Sequence, residues 1–240
     1  MSNLDRPQTE SDINNSNKLN LKIEDSVATP FGYMDKSKVH HLESGYELKE
    51  LNGRLFKINS KSKKIESDFG IITEIQNSQY NTKQQQVSTL APTLGTGWIT
   101  DAYWSNNSGT PIKLFSTNWI VPNAPTTNHG QLIYLFNGIQ DGLTSTSHIL
   151  QPVLQWRTSP AGGGNYWAIT NWYVSGSNAF YGQLIPVSIG TNLQGVIQLT
   201  AQKGNLYSYL SSFAGYNSNS SVRFPKVRPV KIRVNDDRVY

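Results

Sequence analysis

The sequence predicts an all-β protein whose main part is an antiparallel β-sandwich of the jelly-roll type. From Gly97 onward, short runs rich in Trp, Tyr, Val, Ile and Thr alternate with clusters of Gly, Asn, Ser and Pro. No segment of this part repeats apolar residues with the helical period of about 3.6 residues. Many short, evenly spaced strands with turn residues between them are typical of sandwiches and jelly rolls. We therefore expect strands near residues 97–104, 112–121, 131–139, 148–156, 165–174, 183–189, 194–202 and 205–212.

Composition divides the chain into five segments. The N-terminal segment is polar and poor in aromatic residues, which is typical of disordered chain. A β-rich leader follows, and a Gln-rich polar stretch then separates it from the sandwich as a linker. The C-terminal segment alternates apolar and basic residues. We expect a disordered arm (residues 1–28), a β-hairpin leader unit (29–75), a polar linker (76–93), the sandwich (94–222), and a basic tail or edge strand (223–240).

The leader carries a strong hairpin signal. The runs YELKEL (residues 46–51) and RLFKI (residues 54–58) alternate apolar and polar residues, and Asn52-Gly53 lies between them. Both central residues of a type I′ turn need positive φ, which Asn and Gly tolerate. The sequence therefore predicts a two-residue hairpin around Asn52-Gly53.

The charge distribution argues against a nucleic-acid partner. The 240 residues include 21 Lys+Arg and 16 Asp+Glu, a formal net charge of +5. Residues 223–240 hold six basic and two acidic side chains, so most of the excess lies in a short tail. A nucleic-acid binder usually spreads its basic residues over one face of the folded domain. We expect no nucleic-acid partner, and the tail to be a solvated or edge strand.

Other classes are also disfavoured. No apolar run approaches the length of about 18 residues that a membrane helix needs. The absence of Cys excludes disulfides, thiolate metal sites and a Cys nucleophile. The start MSNLDRPQTESD shows no recognisable secretory signal. Compartment and oligomeric state stay open.

Few side chains in the predicted sandwich can transfer protons. Between residues 75 and 235 the carboxylates are Asp101 and Asp141. Two-carboxylate hydrolysis would need both beside one bond, but ordinary turn chemistry explains each of them. Asp141 lies near His148 and several Ser and Thr residues, yet neighbours in one loop rarely form a catalytic triad. The remaining His residues form no converging ligand set, so we expect no metal and no cofactor.

An aromatic strand is the more informative feature. Strand alternation places Tyr166, Ala168, Thr170 and Trp172 on one face and Trp167, Ile169, Asn171 and Tyr173 on the other. Aromatic faces near amides such as Gln151 and Gln155 suit a sugar ring or an extended peptide. Both faces carry aromatic residues, so a binding groove and a purely structural core remain alternatives.

Four segments of the predicted sandwich resemble motifs of one known family. TNWIVP (residues 117–122) is similar to a Trp-containing T-x-T-V-P segment, and NGIQDG (residues 137–142) to a W-V-G-I-D-G turn. ILQ (residues 149–151) matches a strand that carries a catalytic Gln, and YWAITNWY (residues 166–173) is similar to a Y-x-A-W-Y-E-W-Y strand that carries a catalytic Glu. Together these segments resemble the glutamic peptidases (eqolisins). The resemblance covers about residues 95–215 and implies a concanavalin-like, eqolisin-like sandwich.

The resemblance also exposes a departure. Gln151 occupies the position of the catalytic Gln, but Asn171 occupies that of the Glu, and an amide cannot act as a general base. We therefore expect a non-catalytic protein that binds a glycan or an extended polypeptide near Gln151, Gln155, Trp167, Asn171 and Tyr173. The alternatives are a hydrolase, either an acid peptidase or a polysaccharide-cleaving enzyme, using Gln151 with Asp141 or Asp101, and a structural protein whose sandwich merely packs.

The resemblance predicts a specific geometry. Gln151 and Asn171 should lie on adjacent strands and project from the same face, with Trp167 and Tyr173 beside Asn171. On that geometry, replacing Asn171 with Glu would put the missing base back into the groove.

Overall fold

The computed structural model describes residues 25–73, 75–76, 97–127, 129–141, 145–146, 148–204, 206–218, 222–227 and 231–239. The regular secondary structure of these residues is almost entirely strand, with a 3₁₀ turn at Lys36–Lys38, so the all-β prediction is confirmed. Among them no helix is long and apolar enough to cross a membrane. The strands are β1 (Ser26–Thr29), β2 (Gly32–Asp35), β3 (Val39–His41), β4 (Tyr46–Leu51), β5 (Arg54–Asn59), β6 (Ile65–Ile71), β7 (Ile75–Gln76), β8 (Gly97–Ser105), β9 (Leu114–Ile120), β10 (Ile133–Gln140), β11 (Ser145–Thr146), β12 (His148–Trp156), β13 (Trp167–Ser175), β14 (Asn178–Tyr181), β15 (Ile185–Pro186), β16 (Asn192–Lys203), β17 (Leu206–Phe213), β18 (Val222–Val227) and β19 (Lys231–Val239).

Two sheets form the sandwich. The larger has the order β3-β14-β13-β12-β10-β19-β8, with β15 also paired to β13. Its neighbours are antiparallel except β3 and β14, which run in parallel. The smaller sheet has the order β18-β17-β16-β9. Side chains from both sheets share two buried clusters, which makes the pair a sandwich with a common core.

The larger sheet has two covered faces. We call the face toward the smaller sheet the inner face; its residues Leu150 and Tyr173 pack against Ile197 and Tyr209. We call the opposite face the leader face. It carries a separate buried cluster that includes Tyr134, Phe136, Ile149, Val153, Trp172 and Val174.

The leader contributes to both covers. Met34 of the β1–β2 hairpin is buried in the leader-face cluster, where Ala28 and Phe31 also pack. Strand β3 extends the larger sheet at its β14 edge. The three-stranded β4-β5-β6 sheet inserts Leu48 and Leu55 into the inner-face cluster. The leader therefore forms part of the sandwich core.

The predicted strands of the sandwich agree well with those observed, with one notable omission. Strand β14 was not predicted, although Ser175 pairs with Asn178 across the two-residue turn Gly176-Ser177, a recognisable hairpin signal. Strand β18 lies at the edge of the smaller sheet, in the segment expected to be a basic tail or edge strand. Strand β1 begins at Ser26, inside the segment expected to be a disordered arm. Most of that arm and of the polar linker lies outside the described residues.

The basic tail needs a correction. Strand β19 pairs with β10 on one side and with β8 on the other, so residues 231–239 lie inside the larger sheet and not at its edge. Alternating apolar and basic residues fit either position, because alternation reports two different faces and says nothing about the neighbouring strands.

The hairpin prediction is confirmed. Leu51 pairs with Arg54, and the turn residues Asn52 and Gly53 have φ of 52° and 71°. Replacing Gly53 with Val should lower the free energy of unfolding by about 1–2 kcal/mol, because a β-branched residue is strained at positive φ. Gly53→Asn is the matched control and should cost less, since Asn tolerates this conformation. Equal losses in urea unfolding would contradict the explanation.

Candidate functional site

The register between β12 and β13 decides the geometry of the predicted site. Gln151 pairs directly with Trp172, and Asn171 pairs with Pro152. The prediction that Gln151 and Asn171 lie on adjacent strands is confirmed. The prediction that they share a face is wrong, because directly paired residues share a face and a one-residue offset reverses it.

Asn171 belongs to the inner face. Its side chain is fully buried, and its Oδ1 accepts a hydrogen bond from Ser211 Oγ on the smaller sheet at 2.5 Å. Trp167 and Tyr173 alternate onto this same face, as predicted, and both are buried in its clusters. These three residues therefore pack between the sheets in this structure and do not line an open groove.

Gln155 organises a loop. Its Nε2 donates to the carbonyl oxygens of Arg157 at 2.8 Å and Gly162 at 2.9 Å, and its Oε1 accepts from Ser159 Oγ at 2.9 Å. The amide thus closes the connection between β12 and β13. Its hydrogen-bonding capacity serves the loop, and the structure does not bring it together with Asn171.

Gln151 lies on the leader face beside Trp172. Its Oε1 and Trp172 Nε1 are both buried, and neither has a hydrogen-bond partner within the described part of the chain. Gly138 flanks the pair: a Cβ at this position would lie 3.1 Å from Gln151 Cγ. The missing side chain of Gly138 therefore leaves room for the amide of Gln151.

The β1–β2 hairpin covers this part of the leader face. Met34 is 8% exposed within the cluster that holds Trp172. The hydroxyl of Tyr134 donates to the backbone carbonyl of Ala28 at 3.1 Å. The ring of Tyr181 packs next to that of Trp172, with the ring centroids 5.1 Å apart. Partial burial raises the pKa of the Tyr181 hydroxyl, and the negative charge of Glu43 adds to this shift. An extended piece of the same chain thus occupies the face.

Asp141 contacts His148 and not Gln151, the partner that the hydrolase alternative required. Its Oδ2 lies 2.7 Å from His148 Nδ1, and Glu50 Oε2 of the leader lies 3.7 Å from His148 Nε2. Tyr173 stacks on the imidazole at 6.2 Å, and burial raises the pKa of its hydroxyl. On β12, His148 alternates onto the face opposite Gln151, so Asp141 does not join Gln151 in one site. The side chain of Asp101 lies outside the described residues.

The contact between Glu50 and His148 could not be predicted from the sequence. Asp141 fits an ordinary turn residue and His148 an incidental one, and nothing in the local sequence indicates a partner in the leader. The resulting cluster of two carboxylates and an imidazole links the leader to the sandwich. Within the described ranges, no group of three or more His, Cys, Asp or Glu side chains is arranged to hold a metal ion.

His40 lies at a second junction between leader and sandwich. Its ring packs between Phe69 at 4.8 Å and Phe180 at 5.2 Å. Its Nε2 lies 3.3 Å from Asn178 Oδ1. Burial lowers the pKa of His40 below its usual value, although the contact with Asn178 opposes the shift. This junction therefore favours the neutral imidazole.

The buried position of Asn171 reverses the expectation for Asn171→Glu. A carboxylate facing Ser211 between the sheets would be uncompensated, so the variant should lose about 3–5 kcal/mol of unfolding free energy and gain no peptidase activity. The control is Asn165→Glu, at an exposed position on the preceding loop, which should unfold like the wild type. Urea unfolding measures both. An Asn171→Glu protein that is stable and cleaves casein at acid pH would contradict the buried assignment.

The depressed pKa of His40 predicts a pH dependence. Because the folded protein favours the neutral imidazole of His40, this residue contributes its full stabilisation above the unfolded-state pKa of about 6.5. That stabilisation is lost as the pH falls below about 6.5 toward the lower pKa of the folded state. The free energy of unfolding should therefore fall between pH 7 and pH 5, and His40→Phe should flatten that slope. His41→Phe, on the exposed neighbouring residue, is the control. An unchanged slope in His40→Phe would contradict the prediction.

Comparison with known proteins gives matches in structure alone. No protein-family model matches the chain, and a search of curated proteins found no match. A scytalido-glutamic peptidase solved with a peptide-based transition-state analogue is 18% identical, with a TM-score of 0.41; the match covers 61% of this chain and 66% of the peptidase. SCP-B, an eqolisin solved with the tripeptide Ala-Ile-His, is 18% identical, with a TM-score of 0.39 and coverage of 61% and 65%.

Both structures belong to the family that the sequence motifs resemble. The chain spans slightly less than two thirds of their lengths. At this identity the similarity concerns the fold alone, and the all-β architecture stands on the strands and sheets described above.

Proposed function

We propose that this protein binds an extended polypeptide on the leader face and does not cleave it. The observation that carries the proposal is the β1–β2 hairpin, an extended segment of the chain itself, which packs on that face. Met34 is buried there among Tyr134, Phe136 and Trp172. A surface that holds one extended segment has the shape and chemistry to hold another.

The chemistry of the face favours a polypeptide over a glycan. The cluster is built from aliphatic and aromatic side chains, which match apolar side chains of a peptide better than the hydroxyls of a sugar. The Tyr134 hydroxyl donates to a backbone carbonyl of the hairpin, that of Ala28. Recognition through a backbone group and apolar pockets is a common mode for extended peptides.

The residues around Gln151 support binding without cleavage. Gly138 and Trp172 flank it on the same face. Neither residue, nor the Gln151 amide itself, can take a proton from water at acidic or neutral pH. Asp141 and Glu50 are engaged with His148, which alternates onto the other face.

Opening the hairpin should expose the face. In Met34→Asp, a carboxylate replaces a buried apolar side chain and displaces the hairpin, so labelled casein, an unfolded polypeptide, should bind about tenfold or more tightly than to the wild type. Apparent affinity rises with the fraction of binding-competent molecules. Tyr33→Asp is the matched control, since Tyr33 is the exposed neighbour on the same strand, at 59%. A folded Met34→Asp protein that binds no casein would overturn the proposal.

The same preparations distinguish the alternatives. Incubation with casein from pH 2 to pH 8 should give no fragments, and a glycan array should give no signal with Met34→Asp. Casein fragments that disappear in Gln151→Ala would establish the hydrolase alternative, and a glycan signal would establish the sugar ligand.

A further inference from the structure

We propose that Gln151 and Trp172 form a two-point site for the backbone of one residue in the bound polypeptide. Gln151 Oε1 would accept the N–H of that residue, and Trp172 Nε1–H would donate to its C=O. This inference rests on the proposed function and names the chemical group that the site recognises.

The two atoms suit such a ligand. Both side chains project from the leader face on directly paired positions of β12 and β13, so their Cβ atoms are separated by only about 4.5–5.5 Å. One atom is an acceptor and the other a donor. A residue in extended conformation presents its own N–H and C=O on the same side, as in a hydrogen-bonded antiparallel pair.

Burial makes the missing partners informative. Gln151 is 1% exposed and Trp172 is fully buried, and buried polar groups in folded proteins are nearly always hydrogen-bonded. Leaving both atoms without partners reduces the stability of the covered state. An acceptor and a donor that lie side by side, both buried and both without a hydrogen-bond partner, therefore indicate a ligand group that would bond to both.

The hairpin does not supply that group. Strands β1 and β2 pair with each other over Ser26–Thr29 and Gly32–Asp35, so only the backbone groups on their outer edges are available to the sheet. The Ala28 carbonyl accepts from Tyr134 and not from Trp172. The hairpin thus covers the site with apolar side chains and leaves its hydrogen bonds unmet.

The geometry separates a peptide from an acetylated sugar. In an acetamido group the N–H and C=O point in opposite directions, as in any trans amide. One such group therefore cannot satisfy two atoms that lie side by side on a sheet. The arrangement of the two atoms therefore favours a peptide backbone as the ligand. The experiment below also tests the alternative ligand, an acetylated glycan.

The test uses the full chain carrying Met34→Asp and labelled casein as the probe. Adding Gln151→Met or Trp172→Phe should each weaken casein binding about tenfold, the equivalent of about 1.4 kcal/mol. Without Met34→Asp, Gln151→Met should raise Tm by about 2–4 °C, because it removes a buried orphan acceptor. Loss of binding with gain of stability is a combination that a merely structural residue does not produce.

Thr170→Val is the matched control on the same face. Its hydroxyl already donates to Gly182 O, so its removal should lower Tm and leave casein binding unchanged. The shortest casein peptide that binds should also lose affinity when one particular residue is N-methylated, because that residue no longer offers an N–H.

The failures are distinguishable. If the Met34→Asp protein binds no casein, the proposed function fails. If it binds casein and the Gln151→Met and Trp172→Phe additions bind equally well, the two-point site is overturned while the function stands. Binding of chitotetraose that is lost in both variants would also overturn it, in favour of the acetylated glycan.

Discussion

The whole structure depends on one constraint: strands β12 and β13 are buried on both faces and need two covers. All nine residues of β13 are buried, as are eight of the nine in β12. The smaller sheet covers the inner face through residues such as Ile197 and Tyr209. A sandwich alone would leave Trp172 and Val174 in water. The leader supplies the second cover, which explains why it packs as part of the core.

The same constraint shows how far the sequence can predict the fold. Strand positions follow from β-branched and aromatic runs bounded by turn residues, and the Asn52-Gly53 turn follows from local conformational preference. The pairing register does not follow, because a strand buried on both faces has no polar side to orient it. Between antiparallel neighbours the connecting loop helps to fix the register, and here Gln155 holds the loop after β12 through contacts with Arg157 and Ser159. The site prediction failed at this point, because it placed Asn171 on the same face of the sheet as Gln151.

Contacts between residues far apart in the chain could not be predicted from the sequence either. Glu50 and His148 come from segments far apart in the chain, and only the packing of the β4-β5-β6 sheet brings them together. Gln151 could be singled out by its resemblance to a family position, but its neighbour Trp172 could not, since aromatic residues on both faces of β13 fit the core equally well. A candidate site built from a buried amide and a buried indole becomes visible only when hydrogen-bond partners are counted in three dimensions.

The two parts of the leader differ in how firmly they pack on the sandwich, and this difference affects access to the leader face. The β4-β5-β6 sheet buries Leu48 and Leu55 in the inner-face cluster, so its release would disrupt the sandwich core. The β1–β2 hairpin has two strands of four residues each, and an isolated hairpin of this kind is marginal in water. Its attachment includes apolar contacts around Met34 and a hydrogen bond from Tyr134. We therefore expect the hairpin to open more readily than the rest of the leader. A polypeptide that satisfies Gln151 and Trp172 gains hydrogen bonds that the hairpin never makes, and this difference is what would drive the exchange.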